Sequence, residues 1–429
     1  MRYTPPAKSL YIKNRLKFVN KIESNSIAIF NSNDIMPTNA DGLMPFRQNN
    51  DLLYLSGIDQ EETILLLIPD YPLVAKREIL FIKETSELIA IWEGHKVTKE
   101  EASEISGIQS VYWVSEFEQV FSSLVVEAEY IYLNNNEHTR AVTEVETRED
   151  RFAKLCKLKY PNHGYRRSAP IMHIIRSVKD KEEIEMLQRA CDNTEAGFRR
   201  VLKFVKPGVR EFEIEAEFIH EFIRNNSMGF AYQPIIASGS NACVLHYVEN
   251  SKDCKSGDLL LMDVGAEYGN YNADMTRTIP VNGKYTDRQK DVYNAVLRVQ
   301  KEAIGLLRPG TIINDYHKEV GLIMEKELIG LGLIDRNDIR NQDSANPAYK
   351  KYFMHGTSHY LGLDVHDVGN FYKPISENMV FTVEPGIYIK EEGIGIRLED
   401  NIVIKTEANI NLMDNIPIEV DEIETLMNE

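Results

Sequence analysis

Hydrophobic and polar residues alternate in short blocks along the first third of the chain. Apolar runs rich in Ile, Val, Leu and Tyr are each bounded by polar or turn-forming residues, a pattern typical of buried strands. Before the last of these runs, EFEQVFSSLVVEAE repeats apolar residues at helical spacing and predicts a helix. Strands that alternate with helices predict a small α/β domain. The predicted strands are residues 27–30, 63–68, 79–82, 111–114 and 130–133.

A polar stretch at the end of this first pattern predicts a domain boundary. KLKYPNHGYRRSAP holds prolines at 161 and 170 around a glycine, which is typical of a connection. We predict domains over residues 1–172 and 173–429, because a chain of 429 residues exceeds the size at which one core keeps growing. Ser177 then opens a Ser-x-x-Asp sequence with an acidic first turn, which predicts a capped helix.

The second domain is internally repeated. One helix reaches Pro207-Gly208 and is followed by the helical EFEIEAEFIHEFIR, while another reaches Pro309-Gly310 and is followed by the helical DYHKEVGLIMEKEL. Each half then continues with an apolar strand, an acid, an x-Gly step, an aromatic hairpin, a second acid and another apolar strand. This repetition predicts two α+β halves whose sheets face one central site.

Four acids recur as two pairs at matching places in these halves, and one histidine precedes the second pair. The acid pairs are Asp263 with Asp274 and Glu384 with Glu399, and His359 lies in HGTSHYLGLDVHD. Hard divalent ions prefer oxygen ligands, and an imidazole nitrogen adds affinity for Mn, Co or Zn. Four carboxylates balance two divalent charges, whereas buried carboxylates without cations repel one another or protonate. The set predicts two metal ions that activate a water for hydrolysis and polarise a carbonyl.

Each of these residues also has an ordinary structural interpretation. Asp263 and Asp274 flank a glycine-containing hairpin, where Asp is favoured in turns. A lone histidine such as His359 is more often a hydrogen-bonded core residue than a ligand, and Glu384 before Pro385 also fits the end of a strand. The joint pattern favours the metal site, because the ordinary explanations would have to coincide at every position.

Composition narrows the range of functions. The net charge of -17 and the lack of a long basic run argue against a nucleic-acid-binding face. No stretch approaches the roughly 18 apolar residues of a membrane span, and the N-terminus shows no apolar signal-peptide region. The four cysteines have no CxxC spacing, so we expect reduced thiols and a cytoplasmic location.

Several motifs resemble a known family. HGTSHYLGLDVHD, the EPG strand and GIGIRLED, within residues 177–405, resemble the proline-specific metallopeptidases of the pita-bread, or creatinase-like, fold. FRQNNDLLYLSG and PIIASGSNACVLHY resemble the Xaa-Pro aminopeptidase, or aminopeptidase P, branch. The resemblance implies an α/β N-terminal domain followed by an α+β pita-bread catalytic domain with an internal pseudo-twofold duplication. It also implies a homodimer or homotetramer that acts on peptides with proline in second position.

The resemblance assigns the metal ligands. It implies that Asp274 and Glu399 bridge two divalent ions, most simply Mn²⁺, with Co²⁺ or Zn²⁺ as alternatives. Asp263 would complete one ion's ligands, and His359 with Glu384 those of the other. Glu384 would also be the general base that takes a proton from the metal-bridging water and passes it to the leaving nitrogen.

Five further residues are assigned to the substrate by the same resemblance. His366 and His246 would orient the scissile carbonyl and stabilise the tetrahedral intermediate. His355 and Arg397 would shape the proline side of the pocket, with Tyr388 nearby. The structural alternatives are a solvated strand residue for Arg397 and a packing aromatic for Tyr388. The functional role is favoured, because a strand residue two positions before a ligand shares its face.

The first domain adds one candidate for substrate binding. Trp92, in IWEGHKVTKEEA, resembles a position from which the family inserts an aromatic side chain into the pocket of a neighbouring subunit. A tryptophan on the surface or in the core of its own domain is the structural alternative.

Two functional alternatives remain. The nearer one is an Xaa-Pro dipeptidase, or prolidase, because the hairpin KEEGIGIR is shorter than in many aminopeptidases P. The other is a metal-free pita-bread binding protein or a creatinase-type hydrolase. Such relatives typically lack metal ligands, whereas this sequence has every expected ligand type.

Overall fold

A computed structural model describes residues 2–141, 144–343 and 345–429 and divides into two compact units. One unit is Pro5–Arg176, and the other is Ser177–Glu429 together with the N-terminal residues up to Thr4. The boundary expected between residues 172 and 173 falls inside a helix, Ala169–Ser177, so the chain divides at the end of that helix instead.

The unit Pro5–Arg176 contains one mixed sheet surrounded by helices. Its strands are β1 Ser26–Asn31, β2 Ile64–Leu67, β3 Glu78–Ile82, β4 Ser110–Trp113, β5 Tyr130–Leu133 and β6 Gly164–Arg167. Its helices are α1 Lys8–Val19, α2 Asn50–Ser56, α3 Glu87–Glu93, α4 Lys99–Ser106, α5 Phe117–Val125, α6 Arg148–Lys159 and α7 Ala169–Ser177. The strand order is β4-β3-β2-β1-β5-β6, in which β2 is antiparallel to both of its neighbours. The other pairings are parallel.

The five strands and the helix predicted for this unit are confirmed, but β6 was not predicted. It lies in the polar stretch KLKYPNHGYRRSAP, whose prolines and glycine predict a connection, and it pairs in parallel with β5 from Gly164 to Arg167. Its sequence is Gly-Tyr-Arg-Arg, and none of these residues is buried. Charged side chains are normal on an edge strand, so an apolar pattern could not reveal it.

The second unit carries the remaining elements. Its helices are α8 Lys181–Phe204, α9 Glu211–Arg224, α10 Asp287–Leu306, α11 Ile313–Gly330, α12 Arg336–Asn341 and α13 Val420–Asn428. Its first strands are β7 Ile235–Ser238, β8 Leu259–Val264, β9 Glu267–Tyr268, β10 Tyr271–Asn272 and β11 Met275–Pro280. The later strands are β12 Val380–Val383, β13 Gly386–Ile389, β14 Ile394–Arg397, β15 Asp400–Val403 and β16 Ile410–Asn411. No helix among the described residues is long and apolar enough to cross a membrane.

The strands of this unit fall into two similar sets. In the first set β8 pairs with β11 and the hairpin β9–β10 lies between them in sequence. In the second set β12 pairs with β15 and the hairpin β13–β14 lies between them. A backbone bridge between Thr276 and Glu399 joins the two sets. The predicted internal duplication is therefore visible in the pairing of the strands.

The start of α8 differs from the sequence prediction. Ser177 is the last residue of α7, and the N-cap of α8 is Asp180. The Glu183 carboxylate accepts a hydrogen bond from the Asp180 N–H at 2.9 Å, so the acid three residues beyond Asp180 supports the helix start. The predicted cap at Ser177 was wrong because the Ser-x-x-Asp pattern ends at the real cap rather than beginning there.

Candidate metal centre

Four carboxylates leave the ends of paired strands in the second unit. Asp263 lies in β8 opposite Thr276, and Asp274 comes directly before β11. Glu384 follows β12 directly, and Glu399 directly precedes β15. The Glu399 N–H donates to the Thr276 carbonyl at 3.0 Å, so one acid of the second half is tied to a strand of the first. The strand pairing brings the predicted acids into one place.

The glycine that follows the first acid is required by this geometry. A Cβ atom at Gly265 would lie 1.8 Å from the Ala273 carbonyl oxygen, so no other residue fits there. The hairpin β9–β10 closes over a turn in which Gly269 and Asn270 both have positive φ, as a tight type I′ connection requires. The x-Gly step of the sequence motif therefore lets the chain return close enough to place Asp274 beside Asp263.

His359 turns one ring nitrogen toward the carboxylates. Its Nε2 lies 3.3 Å from Asp274 Oδ2 and 3.7 Å from Glu384 Oε1. Its Nδ1 lies 2.9 Å from the Tyr360 carbonyl oxygen, to which only a protonated nitrogen donates. This bond assigns the proton to Nδ1 and leaves a lone pair on Nε2, the arrangement of a metal-binding histidine.

The donor set fits a divalent cation. Ligand atoms of Asp274, His359 and Glu399 all lie within 4.8 Å of one another, and all three residues are buried. Burial raises the pKa of Asp274, Glu384 and Glu399 well above the usual range, and repulsion from neighbouring carboxylates raises each further. Clustered carboxylates that resist ionisation are stabilised by a bound cation, which replaces their protons.

Tyr232 belongs to the centre although the sequence did not identify it. Its hydroxyl lies 2.5 Å from Asp263 Oδ1 and 2.6 Å from Asp274 Oδ1. Burial and the nearby carboxylates raise the pKa of Tyr232 well above its ordinary value, so the hydroxyl keeps its proton and donates. Tyr232 lies just ahead of the PIIASGSNACVLHY motif, which was the available signal near it.

Arg397, Tyr388 and His355 form a chain of hydrogen bonds beside the carboxylates. Arg397 donates to Asp263 Oδ2 at 2.5 Å through Nη2 and to the Tyr388 hydroxyl at 2.7 Å through Nη1. The Tyr388 hydroxyl lies 2.8 Å from His355 Nε2, while His355 Nδ1 lies 2.8 Å from the Gly356 carbonyl. Nδ1 therefore carries the proton, and Nε2 accepts from Tyr388.

Burial keeps these three hydrogen-bonded side chains in one protonation state. Desolvation first, and Arg397 second, lower the pKa of His355 to about 3. Desolvation raises the pKa of Tyr388 to about 12, although Arg397 acts in the opposite direction. His355 is neutral and Tyr388 is a phenol at neutral pH, while Arg397 is buried at 4% exposure rather than solvated.

The remaining predicted residues differ in how close they are to the carboxylates. The His366 ring lies edge-on to the His359 ring, with a centroid distance of 4.3 Å. His246 is exposed, and its charge contributes to the lowered pKa of His355. Trp92 is 84% exposed on α3 of the other unit, so the alternative of a core tryptophan is excluded.

Two supporting residues were also missed from the sequence. The Thr276 hydroxyl donates to Glu399 Oε2 at 2.7 Å and accepts from Arg397 Nε at 3.0 Å. His317 Nδ1 accepts a hydrogen bond from the Thr357 N–H at 3.1 Å, and burial lowers the pKa of His317 to about 4. Both residues hold backbone or side chains of the centre in place.

Comparisons with known proteins agree with this fold and centre, which together define a metal-dependent peptidase. The model of metallopeptidase family M24 matches residues 185–406, and that of the aminopeptidase P N-terminal domain matches residues 11–132. The chain belongs to metallopeptidase family M24, and it carries the N-terminal domain of aminopeptidase P. The resemblance and the fold class expected from the sequence are confirmed, and the chain is a metal-dependent aminopeptidase.

Similarity extends over the whole chain. A Xaa-Pro aminopeptidase of Haemophilus influenzae is 33% identical over 98% of this chain and 97% of its own length. A Xaa-Pro aminopeptidase of Escherichia coli is 35% identical, with coverages of 97% and 96%. The structure of a Zn-substituted E. coli aminopeptidase P in complex with product has a TM-score of 0.89 at 33% identity and covers 99% of both chains.

Proposed function

We propose that this chain removes the N-terminal residue from peptides that have proline in second position. The observation that carries the proposal is the buried cluster of Asp274, His359 and Glu399, whose ligand atoms share one small volume. Full-length likeness to proteins named Xaa-Pro aminopeptidase supports the peptide class.

The metal ligands we propose are the predicted five: Asp263, Asp274, His359, Glu384 and Glu399. The carboxylates supply negative charge for two divalent ions, and His359, whose Nε2 faces Asp274 and Glu384, adds a nitrogen donor. A mixed oxygen and nitrogen set suits Mn²⁺, which we propose as the cofactor, and also Co²⁺ or Zn²⁺. Bound divalent ions acidify a water and polarise a carbonyl group.

Glu384 is the proposed general base. Its N–H donates to the Thr357 carbonyl at 2.8 Å, which fixes its backbone, and its Oε1 and Oε2 lie 3.7 Å and 3.8 Å from nitrogens of His359 and His355. The carboxylate would accept the proton of the attacking water and deliver it to the departing nitrogen. A proline nitrogen needs this delivery because it carries no N–H of its own in the peptide.

His366 and His246 are the proposed contacts to the scissile carbonyl. Both side chains are exposed, so a peptide can reach them. An imidazole N–H that donates to the carbonyl oxygen stabilises the negative charge that develops there during attack.

Arg397, Tyr388 and His355 are proposed to form the proline side of the pocket. Each holds the next by a hydrogen bond, so the neutral His355 ring and the Tyr388 ring keep fixed orientations. Fixed rings suit recognition of proline by shape, since the tertiary amide offers no backbone donor.

Trp92 is proposed to act in an oligomer. Leu88, Ile91 and Trp92 on α3 are 67%, 76% and 84% exposed, and such an apolar surface favours contact with another protein chain. A homodimer or homotetramer in which Trp92 reaches a neighbour's substrate pocket remains our proposal, as does a cytoplasmic location.

Substrate length tests the proposed activity. With Mn²⁺ present, we expect hydrolysis of Gly-Pro-Xaa tripeptides and of longer peptides with proline second. The β13–β14 hairpin is short, which favours the prolidase alternative. Activity confined to the dipeptide Gly-Pro would replace aminopeptidase by prolidase, and no hydrolysis of any Xaa-Pro peptide would reject both.

A further inference from the structure

A buried glutamate at the start of α9 organises the segment that carries His246. Glu211 is fully buried and accepts five hydrogen bonds, all from residues 238–252. The donors are Ser238 N–H, Ser238 Oγ–H, Asn241 Nδ2–H, Tyr247 O–H and Lys252 N–H, at 2.8, 2.7, 3.3, 2.8 and 2.9 Å. Its own N–H donates to the Lys252 carbonyl at 3.0 Å. Both ends of the segment are therefore bound to a single side chain.

The segment between these ends has little regular structure of its own. After a single turn of 3-10 helix, Gly239–Cys243, the chain continues through a turn that contains His246. His246 is exposed, whereas the next residue, Tyr247, is buried and donates its hydroxyl to Glu211 Oε2. One of the contacts that fix the residue beside His246 is thus a bond to Glu211.

Tyr247 also links this segment to the proposed substrate pocket. A buried apolar cluster contains Ile235, Ala237, Ala242, Tyr247, Leu261 and Tyr388. Tyr388 in turn holds His355 by a hydrogen bond, and both residues belong to the proposed wall of the proline pocket. The position of Tyr247 against Tyr388 therefore sets the position of the adjacent His246 relative to that wall. Movement of Tyr247 would move His246 away from the position in which it can meet the scissile carbonyl.

We infer that Glu211 is a positioning residue for His246 in peptide hydrolysis. This inference rests on the proposed role of His246 at the scissile carbonyl. An ionised carboxylate only accepts hydrogen bonds, whereas the amide of Gln replaces one acceptor oxygen by a donor. Glu211→Gln therefore places an amide N–H₂ group opposite two or three of the five donors without a change of size. The hydroxyls of Ser238 and Tyr247 can turn to accept, but the backbone N–H of Ser238 or of Lys252 is left facing a donor.

A double-mutant cycle tests the inference. We expect E211Q to lower kcat about tenfold with little change in KM, because misplacement of a catalytic group affects the reacting geometry. In the H246A background the same substitution should change kcat by less than about twofold, since the group that it positions is already absent. An equal loss in both backgrounds would overturn the inference.

Two further variants keep the test decisive. Y247F removes one of the five donors and retains the packed ring, so it should show the same dependence on His246 with a smaller loss, about threefold. If E211Q fails to fold, Y247F takes its place in the double-mutant cycle. E213Q is the matched control, because Glu213 lies in the same turn but accepts from Arg210 rather than from the His246 segment. E213Q should leave kcat within about twofold of the unsubstituted chain.

Failure of the proposed role of His246 would look different. If H246A itself retains full kcat, the assignment of His246 is wrong and the inference on Glu211 falls with it. If H246A is impaired while E211Q is not, the role of His246 stands and the inference alone is overturned. Manganese content by elemental analysis should be equal in all variants, because none of them removes a proposed ligand.

Discussion

The two halves of the second unit have the same strand order but different surroundings for their acids. In the first half β8 and β11 flank a hairpin of two-residue strands, and in the second half β12 and β15 flank a hairpin of four-residue strands. A third strand joins each pair on a different side, as β7 pairs with β8 whereas β16 pairs with β15. The common part is the strand–acid–hairpin–acid–strand unit itself.

The side chains near the acids differ more than the strands do. Asp263 and Asp274 share the hydroxyl of Tyr232, which lies 2.5 Å and 2.6 Å from their carboxylate oxygens. The longer hairpin of the second half instead carries Tyr388 and Arg397, which connect to His355. We interpret the repeated part as the source of charge for the metals and the unrepeated part as the source of substrate contacts.

The largest expected effect concerns a residue of the second half. E384Q should reduce kcat at least about a thousandfold, because an amide cannot accept the proton of the attacking water. Steady-state kinetics on a Gly-Pro-Xaa peptide, with Mn²⁺ content measured in parallel, checks this. E391Q is the control, since Glu391 lies exposed in the turn of the same half and should leave kcat within about twofold. Substantial hydrolysis by E384Q would refute its role as base.

A matched pair of tyrosine substitutions tests whether one half mainly binds metal and the other mainly contacts substrate. Y232F removes a hydroxyl that donates to Asp263 and Asp274, so we expect weaker Mn²⁺ binding by about tenfold and an unchanged KM at saturating metal. Y388F removes the link between Arg397 and His355, so we expect unchanged Mn²⁺ affinity and a loss of about tenfold in kcat/KM. Metal titration and peptide kinetics on both variants give the comparison. The same profile for both would show that the halves do not divide their tasks.

The sequence predicted those parts of the centre that repeat along the chain. Asp263, Asp274, Glu384 and Glu399 were recognisable because an acid recurs at the same point of a strand–hairpin pattern. Tyr232 has no such signal, since it contacts acids 31 and 42 residues away through a fold that only pairing of the strands creates. Local pattern and long-range contact are different kinds of information.

The other features that the sequence did not predict also depend on contacts between residues distant along the chain. β6 was missed because an edge strand does not need a run of apolar residues, and its pairing with β5 cannot be read from its own sequence. His317 was missed because one histidine on a helix is unremarkable until the loop containing Thr357 packs on it. The cap of α8 was placed too early because Ser177 and Asp180 both fit a start pattern, and only the end of α7 decides between them.

Metal removal should show that both halves contribute charge. Burial and mutual repulsion raise the pKa of Asp274 and Glu399 well above the value of about 4 expected in the unfolded chain. Above pH 4 the folded metal-free protein therefore holds protons that the unfolded chain has released. A raised folded-state pKa means that the free energy of unfolding falls as the pH rises through this range.

Mn²⁺, the cofactor that we propose, would replace those protons on binding, so its stabilising effect should increase with pH. We expect the gain in Tm on adding Mn²⁺ to chelator-treated protein to be several degrees greater at about pH 8 than at about pH 5.5. D274N and E399Q should each reduce this pH dependence by a similar amount, because each half supplies one of the two interacting carboxylates. A reduction in only one of the variants would mean that the charge of the centre is held by one half alone, despite the repeated strands.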